Sequence, residues 1–142
     1  MSTFERLSAY RPYGLAALRI ITALLFIEHG TMKLFAFPAA QMAGPLPPLM
    51  LFAALLELIG GILILVGLLT RPVAFLLAGE MAVAYFMAHA PQSFFPIING
   101  GESAIFFCFI FLYLVFAGPG AWSLDGRTAG AGLSSQRASS AA

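Results

Sequence analysis

The sequence predicts an all-α membrane protein, built as an antiparallel four-transmembrane-helix bundle. Of its 142 residues, 61% are hydrophobic and only 9% are charged, whereas about 25% of residues are charged in an ordinary soluble domain. Four long apolar segments alternate with short stretches rich in Pro or Gly, which gives the helix count. Short connections favour neighbouring helices of opposite direction. The length leaves no room for a separate soluble catalytic domain beside these helices.

The four predicted helices cover residues 15–35, 49–69, 73–90 and 99–117. Each approaches the roughly 20 residues, at about 1.5 Å per residue, that cross the hydrocarbon core of a bilayer. Residues 36–48 contain four prolines and are predicted to form a loop. Residues 70–72 are predicted to form a tight turn, and residues 91–98 an apolar loop at the membrane interface.

The predicted organisation has three parts. Residues 1–14 form a cytoplasmic N-terminal segment, residues 15–126 the membrane domain, and the Ser/Ala-rich residues 127–142 a flexible cytoplasmic tail. The loops 36–48 and 91–98 contain no Lys or Arg. The opposite side of the bundle carries Arg6, Arg11, Arg71, Arg127 and Arg137. Because positive residues accumulate on the cytoplasmic side, both termini are predicted to face the cytoplasm.

Composition also restricts the classes of function. The formal net charge of +1 provides no basic surface for nucleic acid. Cys108 is the single cysteine of the sequence, so an intramolecular disulfide, a CxxC redox pair and a cysteine metal site are excluded.

Ionisable side chains within the first predicted helix are the main clue to function. This helix contains Arg19, Glu28, His29 and Lys33. An Arg, Lys or Asp at the centre of a bilayer costs at least about 2.5–3.5 kcal/mol, so such groups are expected to face other helices. Arg19 and Lys33 should share one side of the helix at about 100° per residue, with Glu28 nearly opposite Arg19.

A ligand-binding cluster is predicted from the depth of the polar groups in the bundle. At about 1.5 Å per residue, the groups gather in the half nearer the loops without positive charge. The predicted ligand-binding residues are Glu28, His29, Lys33, Glu57 and His89. A quinone head group suits such a site because its carbonyls accept hydrogen bonds from histidine and a carboxylate can exchange protons with it.

Other ligands of the same residues are weighed against quinone. His29 and His89 are potential haem ligands, but Glu28 and Lys33 would crowd a large apolar macrocycle. A divalent metal held by His29, Glu57 and His89 is a further alternative. No metal site is assigned.

The remaining polar residues are predicted to be structural. This network comprises Arg19, Glu80, Asn99 and Glu102. Glu57 and Glu80 are candidate partners of Arg19 or Lys33, and Glu57 or Glu102 is the expected acidic partner of Lys33. Asn99 is expected to cap the fourth helix, because Glu102 follows three residues later as in a capping box.

The chain resembles the DoxX family of small four-helix membrane proteins over about residues 15–126. The resemblance is carried by Arg19, Gly30, Lys33, residues 57–61, Gly67, residues 99–102 and residues 118–125. It implies a bacterial inner-membrane protein, and some relatives look like subunits of quinone-linked membrane oxidoreductases.

Three functional hypotheses follow. The first is an integral inner-membrane subunit of a redox system that interacts with quinone or anchors soluble oxidoreductases. The second is a small-molecule or proton transport pathway with Glu28, Glu57 and Glu80 as relay carboxylates. The third is a scaffold for soluble redox enzymes. The expected partners are the lipid bilayer and other redox-system subunits; homo-oligomerisation and catalytic activity are left open.

Overall fold

The computed structural model describes residues 3–130, and helices dominate this part of the chain. The helices are α1 (Thr3–Ser8), α2 (Arg11–Phe35), α3 (Pro48–Val66), α4 (Thr70–Ala84), α5 (Pro96–Asn99) and α6 (Glu102–Ala117). A π-helical turn, Tyr85–His89, continues α4, and a further helical stretch begins at Leu124. Residues 3–130 contain no β-strand. The predicted all-α class is confirmed.

Within the described residues, three helices are long and apolar enough to cross a membrane. They are α2, α3 and α4 together with its π-helical turn. The helix α6 is apolar but has only 16 residues. It is shorter than predicted because Gly100, with φ +69°, ends α5 and turns the chain before α6 begins.

The helix boundaries differ from the predicted ones at two connections. The helix α2 begins at Arg11, which lies within the predicted N-terminal segment. Pro12 fits in the first turn, because the backbone N–H groups of a first turn have no partner within the helix and proline lacks only this group. The helix α3 ends at Val66, where Gly67 takes the left-handed conformation at φ +68°. Thr70 already starts α4, so the predicted tight turn at residues 70–72 is wrong. Of the predicted flexible tail, residues 131–142 lie outside the described part of the chain.

Small residues allow α2 and α3 to approach closely. A Cβ atom on Gly30 would lie 2.9 Å from the backbone nitrogen of Leu58 and 3.0 Å from the carbonyl oxygen of Ala54. A Cβ atom on Gly61 would lie 2.6 Å from the side chain of Ile27. Both glycines therefore allow the two helices to approach, since a larger residue at either position would separate them.

The bundle has two polar ends separated by an apolar layer. The Lys33 end contains Lys33, Glu57 and Glu80, and the Arg19 end contains Arg19, Arg71 and residues 118–125. The layer between them comprises the buried side chains of Phe26, Ile64, Leu77, Phe107 and Phe111. Phe26 packs edge-on against Phe111, with ring centroids 4.8 Å apart. The predicted shared face of Arg19 and Lys33 is confirmed, because both side chains point into the bundle, as do Phe26 and Gly30 between them.

Candidate functional site

A buried ion pair joins α2 to α3 at the Lys33 end. Lys33 Nζ donates to both carboxylate oxygens of Glu57 and lies 2.6 Å from Oε2. The Lys33 side chain is only 9% exposed and that of Glu57 only 3%. The expectation that Lys33 has an acidic partner is confirmed, and that partner is Glu57.

Glu80 lies close enough to this pair for the charges of Glu57 and Lys33 to act on it. Both carboxyl oxygens of Glu80 are buried, and neither has a hydrogen-bond partner among residues 3–130. The residue as a whole is only half-buried, so the exposed part belongs to the aliphatic stem. This orientation is the reverse of the usual one, in which a long polar side chain directs its polar end toward water.

An unpartnered buried carboxyl group is costly, because desolvation is not offset by a hydrogen bond. Glu80 therefore retains the capacity to bond a polar group brought in by another molecule. The ion pair beside it gives the same region a fixed positive and a fixed negative group. At the Lys33 end, an ion pair therefore lies near a buried carboxyl group whose oxygens have no hydrogen-bond partner among residues 3–130.

His29 is half-buried on the neighbouring part of α2. Its Nδ1 lies 3.0 Å from the carbonyl oxygen of Leu25. Because a carbonyl only accepts, Nδ1 is the protonated nitrogen, and Nε2 has no hydrogen bond within the described part of the chain. The ring packs edge-on against Phe107, with centroids 5.4 Å apart. His29 therefore borders the apolar layer.

The other predicted ligand-binding residues do not join the Lys33–Glu57 pair. Glu28 is exposed on the outer face of α2, as its position opposite Arg19 predicts. His89 lies at the end of the π-helical turn, where Nδ1 is 2.9 Å from the carbonyl oxygen of Asn99. Within residues 3–130, no three His, Cys, Asp or Glu side chains are arranged to hold a metal. The metal alternative with His29, Glu57 and His89 therefore gains no support.

The predicted capping role of Asn99 is wrong. The N-cap residue of α6 is Gly101, and Asn99 ends α5. The Asn99 side chain instead organises the turn: Oδ1 accepts from the backbone N–H of Gly101 at 2.7 Å, and Nδ2 donates to the carbonyl of Ser93 at 2.8 Å. Glu102 is the exposed first residue of α6, and Gly100 provides the left-handed turn that displaces the helix start.

Arg19 is completely buried at the opposite end of the bundle. Its guanidinium donates to the carbonyl oxygens of Pro119, Ala121 and Trp122, at 2.8 Å for Trp122. Of the two cations predicted as partners of Glu57 and Glu80, Lys33 pairs with Glu57, and Arg19 bonds neither glutamate. Backbone carbonyls bond Nη1 and Nη2 because the turn after α6 folds under α2, whereas the buried Nε has no hydrogen-bond partner among residues 3–130. The apolar layer separates Arg19 from both glutamates.

The contacts of two further residues at the Arg19 end were not predicted from the sequence. The Asp125 carboxylate accepts the backbone N–H groups of Leu69 and Thr70 at 2.9 Å each, and so caps the start of α4. Burial tends to raise the pKa of Asp125, but the hydrogen bonds from Thr70 and Leu69 outweigh it, and the pKa is held below its usual value. Arg71 Nη1 donates to the carbonyl of Phe116 at 2.8 Å. A signal for Asp125 was available in the sequence, because the first backbone N–H groups of a helix have no partner within it and need an acceptor elsewhere.

Three membrane-length apolar helices and a buried ion pair define an integral membrane protein of helical type. The chain belongs to the DoxX family, since the DoxX family model matches residues 14–90. This finding confirms the resemblance drawn from the sequence motifs.

The relatives are similar over most of their length. An uncharacterized protein of Haemophilus influenzae is 47% identical over 129 residues, which cover 87% of this chain and 96% of the relative. The inner membrane protein YqjF of Escherichia coli is 34% identical over 79% of this chain and 89% of its own. The inner membrane protein YphA of the same organism is 31% identical over 84% of this chain and 93% of its own. No solved structure matches the chain.

Proposed function

We propose that this protein is an inner-membrane subunit of a redox system that binds a quinone or quinol head group at the Lys33 end. The observation that carries the proposal is the buried Glu80 carboxyl group, whose two oxygens have no partner among the described residues. The proposed location in the inner membrane is supported by two relatives, YqjF and YphA, which are both called inner membrane proteins.

The chemistry of Glu80 matches that of a lipid-soluble quinol. An ionised carboxylate accepts the hydroxyl hydrogen of a quinol, and a protonated carboxyl group donates to a quinone carbonyl. The ammonium group of Lys33, which bonds both oxygens of Glu57, is near enough for its charge to act on Glu80. The isoprenoid tail would lie along the apolar side chains that face the bilayer, such as the exposed Val83 and Leu76 of α4.

The apolar layer favours a binding site over a continuous proton pathway. Along α2, Phe26 lies between Lys33 and Arg19, and along α4, Leu77 lies between Glu80 and Arg71. Both apolar side chains are buried. A proton pathway would need polar groups or water through this layer, whereas a head-group site needs access from one side only.

The proposal includes four antiparallel spans, with α6 as the fourth and both termini in the cytoplasm. Gly30 of α2 lies against Ala54 of α3, whereas the earlier Ile27 lies against the later Gly61, and this order supports opposite directions. The absence of Lys and Arg from residues 36–48 and 91–98 supports the orientation.

The test compares Glu80→Leu with the wild-type protein in detergent. Binding of a short-chain quinol analogue is measured by calorimetry, and the melting temperature is recorded in parallel. Wild type should bind, and Glu80→Leu should lose at least about tenfold in affinity, which corresponds to roughly 1.4 kcal/mol. Because the buried Glu80 oxygens have no hydrogen-bond partner among residues 3–130, the variant should melt no lower than wild type.

Glu28→Leu is the matched control, because it removes an exposed carboxylate from a membrane helix without touching the Lys33 end. It should bind the analogue as wild type does. Absence of binding by wild type, equal binding by Glu80→Leu, or a clear drop in its melting temperature would each contradict the proposal.

A further inference from the structure

A groove opens between α2 and α6 at the Arg19 end, away from the Lys33 end. It has a volume of about 450 Å³. Its walls are the first two turns of α2 and the side chain of Tyr113 on α6. The groove exists because α2 packs along α3 and α4 packs along α6, which leaves few contacts between α2 and α6.

The floor of the groove is fixed by the turn after α6. The backbone N–H of Ala121 donates to the carbonyl of Pro12 at 2.9 Å. Gly120 has φ +71°, and a Cβ atom on it would lie 2.7 Å from the same carbonyl oxygen. The turn is therefore held directly against the start of α2. Gly14 adds space, since nothing lies within 4 Å of where its Cβ would be.

The groove is apolar along its length and positive at one end. Leu15 and Leu18 follow Arg11 on one face of α2, so the groove extends about 10 Å along the helix, at about 1.5 Å per residue. The Arg11 guanidinium is exposed, and its one hydrogen bond within residues 3–130 is a long one of 3.4 Å to Ser8 Oγ. Among the described residues, none that lines the groove is acidic.

We infer that this groove binds an anionic phospholipid of the bilayer, with the phosphate at Arg11 and part of an acyl chain along Leu15, Leu18 and Tyr113. Charge complementarity selects the head group, because basic pockets between transmembrane helices attract anionic lipids. The groove has an apolar wall and lies at the end of a membrane-length helix. These two features favour a lipid over a soluble anion as its ligand. The neighbouring groove beside Arg71 contains the Asp125 carboxylate, which disfavours an anion there.

The test titrates delipidated full-length protein with phosphatidylglycerol and, separately, with phosphatidylcholine, and counts bound lipids by native mass spectrometry. Wild type should retain phosphatidylglycerol in preference to phosphatidylcholine. Arg11→Gln should weaken the retention of phosphatidylglycerol about fivefold, the effect of one basic residue near an anionic membrane. Arg127→Gln removes an equal charge from an exposed position outside the groove and should leave retention unchanged.

Gly14→Phe tests the groove itself, because the ring enters open space while Arg11 remains. It should reduce lipid retention without lowering the melting temperature. Equal retention of the two lipids by wild type would indicate annular lipid only and would overturn the inference. Unchanged retention in both Arg11→Gln and Gly14→Phe, or an equal loss in Arg127→Gln, would overturn it as well.

Discussion

Lys33 on α2 and Glu57 on α3 form a bidentate ion pair that is almost completely shielded from solvent, with Nζ 2.6 Å from Oε2. The pair joins the two helices at the point where Gly30 already brings their backbones together. A pair in such a place is weak evidence for added stability, but the loss of one member leaves the other charge buried alone.

Lys33→Met should therefore destabilise the detergent-solubilised protein by about 3–5 kcal/mol, because Glu57 loses its counter-charge. The double variant Lys33→Met, Glu57→Gln should recover part of the loss. Unfolding free energies from denaturant titration measure the coupling. The control pairs Lys33→Met with Glu102→Gln, an exposed position, and should be additive. Strict additivity of the first pair would show that the two charges are not coupled.

Gly30→Ala should separate α2 from α3, because the added Cβ would meet backbone atoms of Ala54 and Leu58 that cannot move independently. The expected cost is about 1–3 kcal/mol. Gly79→Ala in α4 is the matched control, since nothing lies within 4 Å of its Cβ position. It should stabilise the protein by about 0.5–1 kcal/mol through helix propensity. Thermal melts of both variants measure these changes in stability. An unchanged melting temperature of Gly30→Ala would contradict the close contact between α2 and α3.

Asp125→Asn should lower stability at neutral pH by about 1 kcal/mol, because both carboxylate oxygens accept backbone N–H groups and an amide has only one acceptor oxygen. The pKa of Asp125 is lower in the folded protein than in the unfolded chain, so its charge-dependent contribution is complete above the unfolded value of about 3.9. This contribution is lost as the pH falls through the folded pKa.

The melting-temperature difference between wild type and Asp125→Asn should accordingly stay constant from pH 7 to about pH 5 and shrink below about pH 4. Melts in detergent across this range measure it, and the other carboxylates cancel because both proteins contain them. A difference that widens in acid would mean that Asp125 does not cap α4 as a carboxylate.

The proposed orientation predicts which cysteines react from outside intact cells. In a Cys108→Ala background, Gln92→Cys should react with an impermeant maleimide, and Thr128→Cys should react only after lysis. Both positions are exposed on the protein surface, so a difference reports the side of the membrane. Reaction at Thr128→Cys alone in intact cells would reverse the orientation.

Hydropathy and other local features of the sequence are enough to predict the class of protein and most helix positions. Apolar segments of membrane length predict α2, α3 and α4 because their period and length are local properties. The face of α2 that carries Arg19 and Lys33 also follows from helical geometry alone. The family resemblance, which depends on motifs in register, was equally readable from the sequence.

The partners of the charged residues depended on the tertiary structure. Arg19 and Lys33 share a helix face and a need for acceptors, yet one bonds carbonyls of the turn after α6 and the other bonds Glu57. Nothing local distinguishes these outcomes, because each depends on which segment packs over that part of α2. The same holds for Asp125, which is distant in sequence from the helix it caps. It also holds for Glu80, because only the packing of residues 3–130 decides that its carboxyl oxygens have no hydrogen-bond partner there.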